Sequence, residues 1–170
     1  MKLIQYHFMK ITYHSIGTIY SPFEKKEGMP IQAIAANGIK GKIEINKDLE
    51  EGLSDLDGFS HIILIYAFHK SEGFSLKTKP FLSDKFFGVF ATRAPRRPNA
   101  IGISVVKNLS INKNIIEIEN VDVLNGTPLL DIKPYIPEFD IHNVEKIGWI
   151  ENKISEIAQA KSDERFNLKN

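Results

Sequence analysis

Residues 59–68 read FSHIILIYAF, an apolar run of strand length that follows Gly58 and gives way to the polar pair His69-Lys70. A short unbroken apolar run between turn residues marks a strand covered on both faces. The reading therefore predicts a central strand here. Outward from it, residues 38–46 (GIKGKIEIN) alternate, with Ile39, Ile43 and Ile45 apolar, as a half-buried strand does. Residues 101–111 and 115–123 predict two further strands with a turn at Asn112-Lys113-Asn114. Residues 11–21 are β-rich and end at Pro22, residues 86–92 read as a strand, and residues 129–133 are a short apolar stretch between Pro128 and Pro134. Pro95 and Pro98 exclude residues 94–99 from a sheet interior. Residues 47–53 suit one or two helical turns, and residues 70–85 read as a long loop.

A long helix is predicted only near the end. Ile147, Ile150, Ile154 and Ile157 recur at helical spacing with Val144 in phase, behind Asn143 as N-cap, and such a stripe needs a surface to cover it. Strands dominate and no strand–helix alternation occurs. The expected fold is mostly β, a barrel or a strongly curved sheet with one helix packed on it: a small β-barrel-like single domain over residues 11–140, with an N-terminal extension over 1–10 and a C-terminal helix and tail over 141–170. Met9 is a second candidate start.

The chain has 170 residues, 42% hydrophobic and 25% charged, a balance that places it among globular domains rather than disordered chains. A net charge of +1 does not announce a nucleic-acid binder. With no cysteine, disulfides, thiolate metal sites and cysteine nucleophiles are excluded, and a cytoplasmic location is expected. No apolar run approaches the length of a membrane span, and the N-terminus lacks the pattern of a signal peptide. Neither GxGxxG, a P-loop, HExxH nor GxSxG occurs, so dinucleotide, Walker-type, zincin and hydrolase-elbow chemistry have no support.

The densest chemical signal is residues 88–105, GVFATRAPRRPNAIGISV. Lysines outnumber arginines 18 to 4, yet Arg93, Arg96 and Arg97 fall within five positions; the fourth, Arg165, lies near the end. Guanidinium groups suit planar contacts to carboxylate, phosphate and bases, and the flanking prolines stiffen the loop. A solvated basic turn would use the same residues. In residues 125–137, NGTPLLDIKPYIP, Asn125-Gly126 is turn chemistry, and Asp131 and Lys133 share one strand face, either as an ion pair or as site residues. His61 and His69 flank the central run on one face, with no further ligands near enough for a metal site.

These segments resemble the TsaA-like, or TrmO-type, transfer-RNA adenosine methyltransferases. FATRAPRRPNAIGIS is similar to the family's signature. IGTIYSPF near the start, DGFSHIILIYAFHKSEG in the middle and NGTPLLDIKPYIP later match in order and spacing. The resemblance implies a small barrel that binds S-adenosylmethionine without metal. It implies a homodimer with the cofactor near the subunit contact, acting on the 6-amino group of threonylcarbamoyl-adenosine 3′ of the anticodon in transfer RNA. By position it implies cofactor-binding roles for Pro30, Ile31, Gln32, His69, Lys70, Arg93, Ile103, Gly126, Thr127, Asp131 and Lys133. Arg96 and Arg97, beside Arg93, are candidates for the RNA backbone. Asp131 is the candidate catalytic proton acceptor.

Three positions depart from the family pattern. Pro30-Ile31-Gln32 stands for Pro-Arg-Gln, Asn125 for an aspartate, and the C-terminal stretch for an extra domain. Two other readings stay open: the same fold methylating another RNA or a small molecule, and a non-catalytic module that binds RNA or senses the cofactor.

Overall fold

The computed structural model describes residues 9–166; residues 1–8 of the expected N-terminal extension lie outside them. Six strands close into an antiparallel barrel: β1 (Gly17–Tyr20), β2 (Lys40–Ile45), β3 (His61–Ala67), β6 (Ile101–Asn112), β7 (Ile115–Glu119) and β8 (Thr127–Pro134), in the order β1-β2-β7-β6-β3-β8. Two short strands, β4 (Lys77–Thr78) and β5 (Phe87–Gly88), pair in the long connection between β3 and β6. The mostly β, barrel-like expectation holds. Closure leaves no free sheet edge.

The core follows from alternation. Ile62, Leu64 and Tyr66 of β3 point inward, with Ile19, Ile43, Val106, Ile116, Ile118 and Leu129 from the other five strands. Ile62, Leu64, Ile116, Ile118 and Leu129 are 0% exposed, and burying each such side chain is worth about 1.5–3 kcal/mol. The turn between β6 and β7 has Lys113 at φ 54°, the left-handed conformation a tight hairpin uses.

The alternation also corrects the central-strand reading. β3 is inside on one face only; Ile63, Ile65 and Ala67 lie half-buried on the outer face of the barrel. A barrel wall has one inside, so an all-apolar run leaves its other face for something else to cover. Residues 86–92 are not one strand: β5 stops at Gly88 and a 3-10 turn spans Val89–Ala91. Of residues 11–21 only β1 is strand.

The long C-terminal helix is absent. After the short helix α1 (Pro137–Asp140) the chain runs irregularly, turns at Gly148 with φ 65°, and forms a 3-10 stretch, Gly148–Lys153, then one turn of helix α2 (Ile154–Ile157). Asn143 caps nothing, and Val144, Ile147 and Ile154 are exposed. The anchor is Trp149, which stacks on Phe87 at 5.0 Å and donates its Nε1–H to the carbonyl of Ala91 at 2.8 Å. Helical spacing in sequence could not register that Gly148 leaves the helical region where the stripe begins. Among the described residues no helix is long and apolar enough to cross a membrane.

Candidate functional site

β3 and β7 end, and β6 and β8 begin, at one end of the barrel, and the connections there surround a cleft of about 180 Å³. Its floor is aromatic. Tyr66 and Phe68 meet edge to face at 5.5 Å. Both rings lie over Gly102, where a Cβ would collide with the Tyr66 ring and sit 2.8 Å from Phe68. Glycine at the start of β6 is therefore what lets the rings form this floor.

The structure gathers most of the expected residues. Pro30, Ile31, Gln32, His69, Lys70, Arg93, Ile103 and Thr127 all line the cleft, although they come from five separate parts of the chain. Arg93 donates Nη1–H to Gln32 Oε1 at 2.6 Å, and Ile31 supplies apolar wall. Arg97 also lines the cleft and donates to the carbonyl of Thr92 at 3.1 Å. Gly126, at φ 74°, does not line it but makes the turn that delivers Thr127.

Others stand elsewhere. Arg96 is half-buried beside Gly73, with its Nε enclosed by protein. Asp131 and Lys133 pair opposite Ile65 and Ile63, on the outer barrel face, and form an ion pair at 2.8 Å. Within one chain neither lines the cleft. Asn125 is a tie: its Nδ2–H donates to Glu24 Oε1 at 2.8 Å and its Oδ1 accepts from the Ser21 N–H at 3.2 Å. An aspartate here would face Glu24 with like charge.

Two groups of cleft residues escaped the sequence reading. The first is a buried polar chain. Ser104 donates Oγ–H to Asp122 Oδ1 at 2.6 Å, which spends its only proton. Tyr66, 3.0 Å from Ser104 Oγ, must then donate to it. Burial, reinforced by Asp122, pushes the Tyr66 phenol above its ordinary range and keeps it protonated. Burial raises Asp122 to about 6, against the opposing effects of the Ser104 hydrogen bond and of Arg93. The sequence did carry one signal: Asp122 lies between Val121 and Val123, so alternation sets it apart from their buried face.

The second is the C-terminal strap, residues 161–166, which was read only as tail. Ser162 exchanges backbone bonds with the loop before the cleft: Gly28 N–H to Ser162 O at 2.9 Å, and Ser162 N–H to Met29 O at 2.8 Å. Its hydroxyl donates to the Lys26 carbonyl and accepts from the Met29 N–H. Phe166 packs on Phe81 at 4.8 Å. Ser162, Asp163 and Phe166 thereby form one wall of the cleft.

His69 is held below its ordinary range, first by burial and then by Lys70 and Lys26. It is neutral at pH 7. The cleft thus combines apolar walls with cations at Lys26, Lys70, Arg93 and Arg97 and carboxylates at Asp122 and Asp163. That donor set suits a ligand with a flat apolar ring, a carboxylate and a positive centre.

A family model described as tRNA-methyltransferase O N-terminal domain matches residues 18–141. The chain belongs to this family. The match spans the barrel and its cleft loops and ends before the strap. A protein of Pyrococcus abyssi named "Probable S-adenosyl-L-methionine-binding protein" is 49% identical over 158 residues, covering 93% of this chain and 86% of that one. The human tRNA (adenine(37)-N6)-methyltransferase is 38% identical over 132 residues, 74% of this chain but 30% of the human protein. A crystal structure of TrmO from Pseudomonas aeruginosa superposes with a TM-score of 0.70 at 34% identity, covering 83% of this chain and 63% of that one. The resemblance read from the four sequence blocks holds at the level of the family.

Proposed function

We infer that this protein is an S-adenosylmethionine-dependent methyltransferase. In this reading it acts as a homodimer on the 6-amino group of threonylcarbamoyl-adenosine, 3′ of the anticodon in transfer RNA. The observation that carries the reading is the convergence of Pro30, Gln32, His69, Lys70, Arg93, Ile103 and Thr127 on one cleft, in a family whose relatives bear methyltransferase and cofactor-binding names.

When bound, the cofactor supplies an electrophilic methyl group on a sulfonium. The aromatic and aliphatic walls at Phe68, Val123 and Leu124 would hold its adenine, and Lys26, Lys70 or Arg97 its carboxylate. Neutral His69 adds no charge against a cationic ligand. The strap keeps water from one side of the cleft. Arg93 and Gln32 stand where a larger groove of about 570 Å³ begins, walled by Phe90, Trp149 and Ile150. A splayed loop base entering there would meet apolar surface beside a guanidinium, the surroundings unstacked RNA bases favour.

The dimer reading rests on the outer barrel face. Ile103 is 50% exposed, and Ile101 and Val105 are exposed beside it. They lie across from Ala67, Ile65 and Ile63 of β3, making one apolar strip. Asp131 and Lys133 border that strip, so a second copy covering it brings them into the subunit contact, close to Ile103 at the cleft edge.

The test is labelled cofactor with a minimal anticodon stem-loop, with and without the threonylcarbamoyl group, followed by nucleoside identification. Label only in the modified loop is expected. Label in neither loop, with transfer to another RNA or a small molecule, would replace the substrate and keep the class.

A further inference from the structure

We propose that Asp122 is the proton acceptor of the transfer, taking the N–H proton of the adenosine 6-nitrogen as that nitrogen is methylated. The proposal rests on reading the cleft as a methyl-transfer site. A nitrogen conjugated to a purine is a weak nucleophile, and a neighbouring carboxylate that accepts its N–H strengthens it. In the step the nitrogen forms a bond to the methyl carbon. The carbon–sulfur bond of the sulfonium donor breaks with its electron pair going to sulfur. The N–H bond breaks with its pair left on nitrogen, and the proton passes to the Asp122 carboxylate and later to water.

Geometry separates Asp122 from the other candidates. Among the described residues two side-chain carboxylates line the cleft, Asp122 and Asp163. Asp163 is clamped by Arg165, whose Nε and Nη2 donate to it at 2.9 and 2.7 Å, and this contact holds it below the carboxylate range. It is a poor base. Asp131 stands on the outer face with Lys133 at 2.8 Å. His69 sits among Lys26 and Lys70, which oppose its taking a proton. Asp122 has the opposite setting: half-buried at the cleft wall, with its proton affinity raised, and aimed by Ser104. Two carboxyl groups pushed apart by their surroundings divide the roles, one as fixed charge and one as base.

The hydrogen-bond chain points one way, from Tyr66 through Ser104 to Asp122, so every proton in it is already directed at the carboxylate. Among the described residues the groups acting on Asp122 are Tyr66 from β3, Ser104 from β6, the Ala33 backbone and Arg93 from the loops, of which Arg93 is the cation. Asp122 lines both the cleft and a recess walled by Gln32, Ala33 and Ile34.

The experiment compares wild type with Asp122→Asn. Single-turnover methylation of the modified stem-loop is followed across pH, and binding of the demethylated product S-adenosylhomocysteine is measured by calorimetry. The expected result is a rate at least about a hundredfold lower with product affinity unchanged. Wild type should also show a rate limb rising through pH 6 that the variant lacks. Ser104→Ala is the second variant. Its lost hydrogen bond raises the carboxyl's proton affinity, so the limb should move to higher pH. A rate preserved in Asp122→Asn, or lost only in parallel with product binding, overturns the proposal, as does a Ser104→Ala limb that stays put. Wild type that binds product but methylates no transfer RNA brings down the functional reading, a failure seen in the wild-type arm alone.

Discussion

Arg93 Nη1 and Gln32 Oε1 lie 2.6 Å apart across 61 residues of sequence, and their hydrogen bond is a wall shared by the cleft and the larger groove beside it. A donor in one compartment and an acceptor base in the other would meet at this pair. Arg93 also carries the positive charge that acts on Asp122.

Arg93→Ala is therefore expected to lower methyl transfer far more than stability. The side chain is exposed, so truncation opens no core cavity. Loss of a charge-assisted contact to ligand costs about 1.5–3 kcal/mol, roughly ten- to a hundredfold in rate or affinity. Transfer kinetics beside thermal unfolding check this; unfolding of the variant would assign Arg93 to structure instead.

Asp122 makes a separate claim on stability. Its folded value, about 6, lies above the ordinary 3.8. The native state therefore holds the proton more tightly than the unfolded chain. The resulting stabilisation is complete below about pH 4 and disappears as pH rises through 6. At pH 8 the native state carries a buried charge that Asp122→Asn lacks. The variant should gain stability relative to wild type between pH 4 and pH 8, by about 2–3 kcal/mol. Urea unfolding at the two pH values measures it, and a gap independent of pH would contradict the buried charge.

Ser162→Pro should detach the strap. It removes the N–H that reaches Met29 and the hydroxyl bonded to Lys26 and Met29. With about 1 kcal/mol net per hydrogen bond, product binding should weaken roughly tenfold or more, while the barrel keeps its circular dichroism. Unchanged affinity would show that the strap is not part of the binding wall.

Val105→Glu places a charge in the middle of the outer apolar strip, outside the cleft but at the recess that Asp122 also lines. Light scattering should give a dimer for wild type at micromolar concentration and a monomer for the variant. A monomeric wild type would refute the dimer and leave the barrel as described.

The inward residues of β2 were legible because alternation is a local property, written every second residue, whereas β3, apolar at almost every position, revealed its strand but not which face turns inward. The arginine loop was legible because three guanidinium groups between prolines are unusual in a lysine-rich chain. Asp131 was misleading for the same local reason: its spacing to Lys133 describes a strand face, and spacing does not say whether that face looks into a cleft or outward.

What the sequence by itself determined is the strand set, the small mostly β domain and the cluster of cleft residues around Arg93. Tertiary structure alone decided that β3 has one buried face and β6 carries an exposed strip. It alone placed Asp122 against Ser104 and Tyr66, residues 18 and 38 positions apart along the chain in successive pairs. It alone brought Ser162 onto Met29, 133 residues away. The physical reason is common to all three. Burial, proton affinity and wall-forming depend on which atoms exclude water from a group, and in a closed barrel those atoms come from distant parts of the chain.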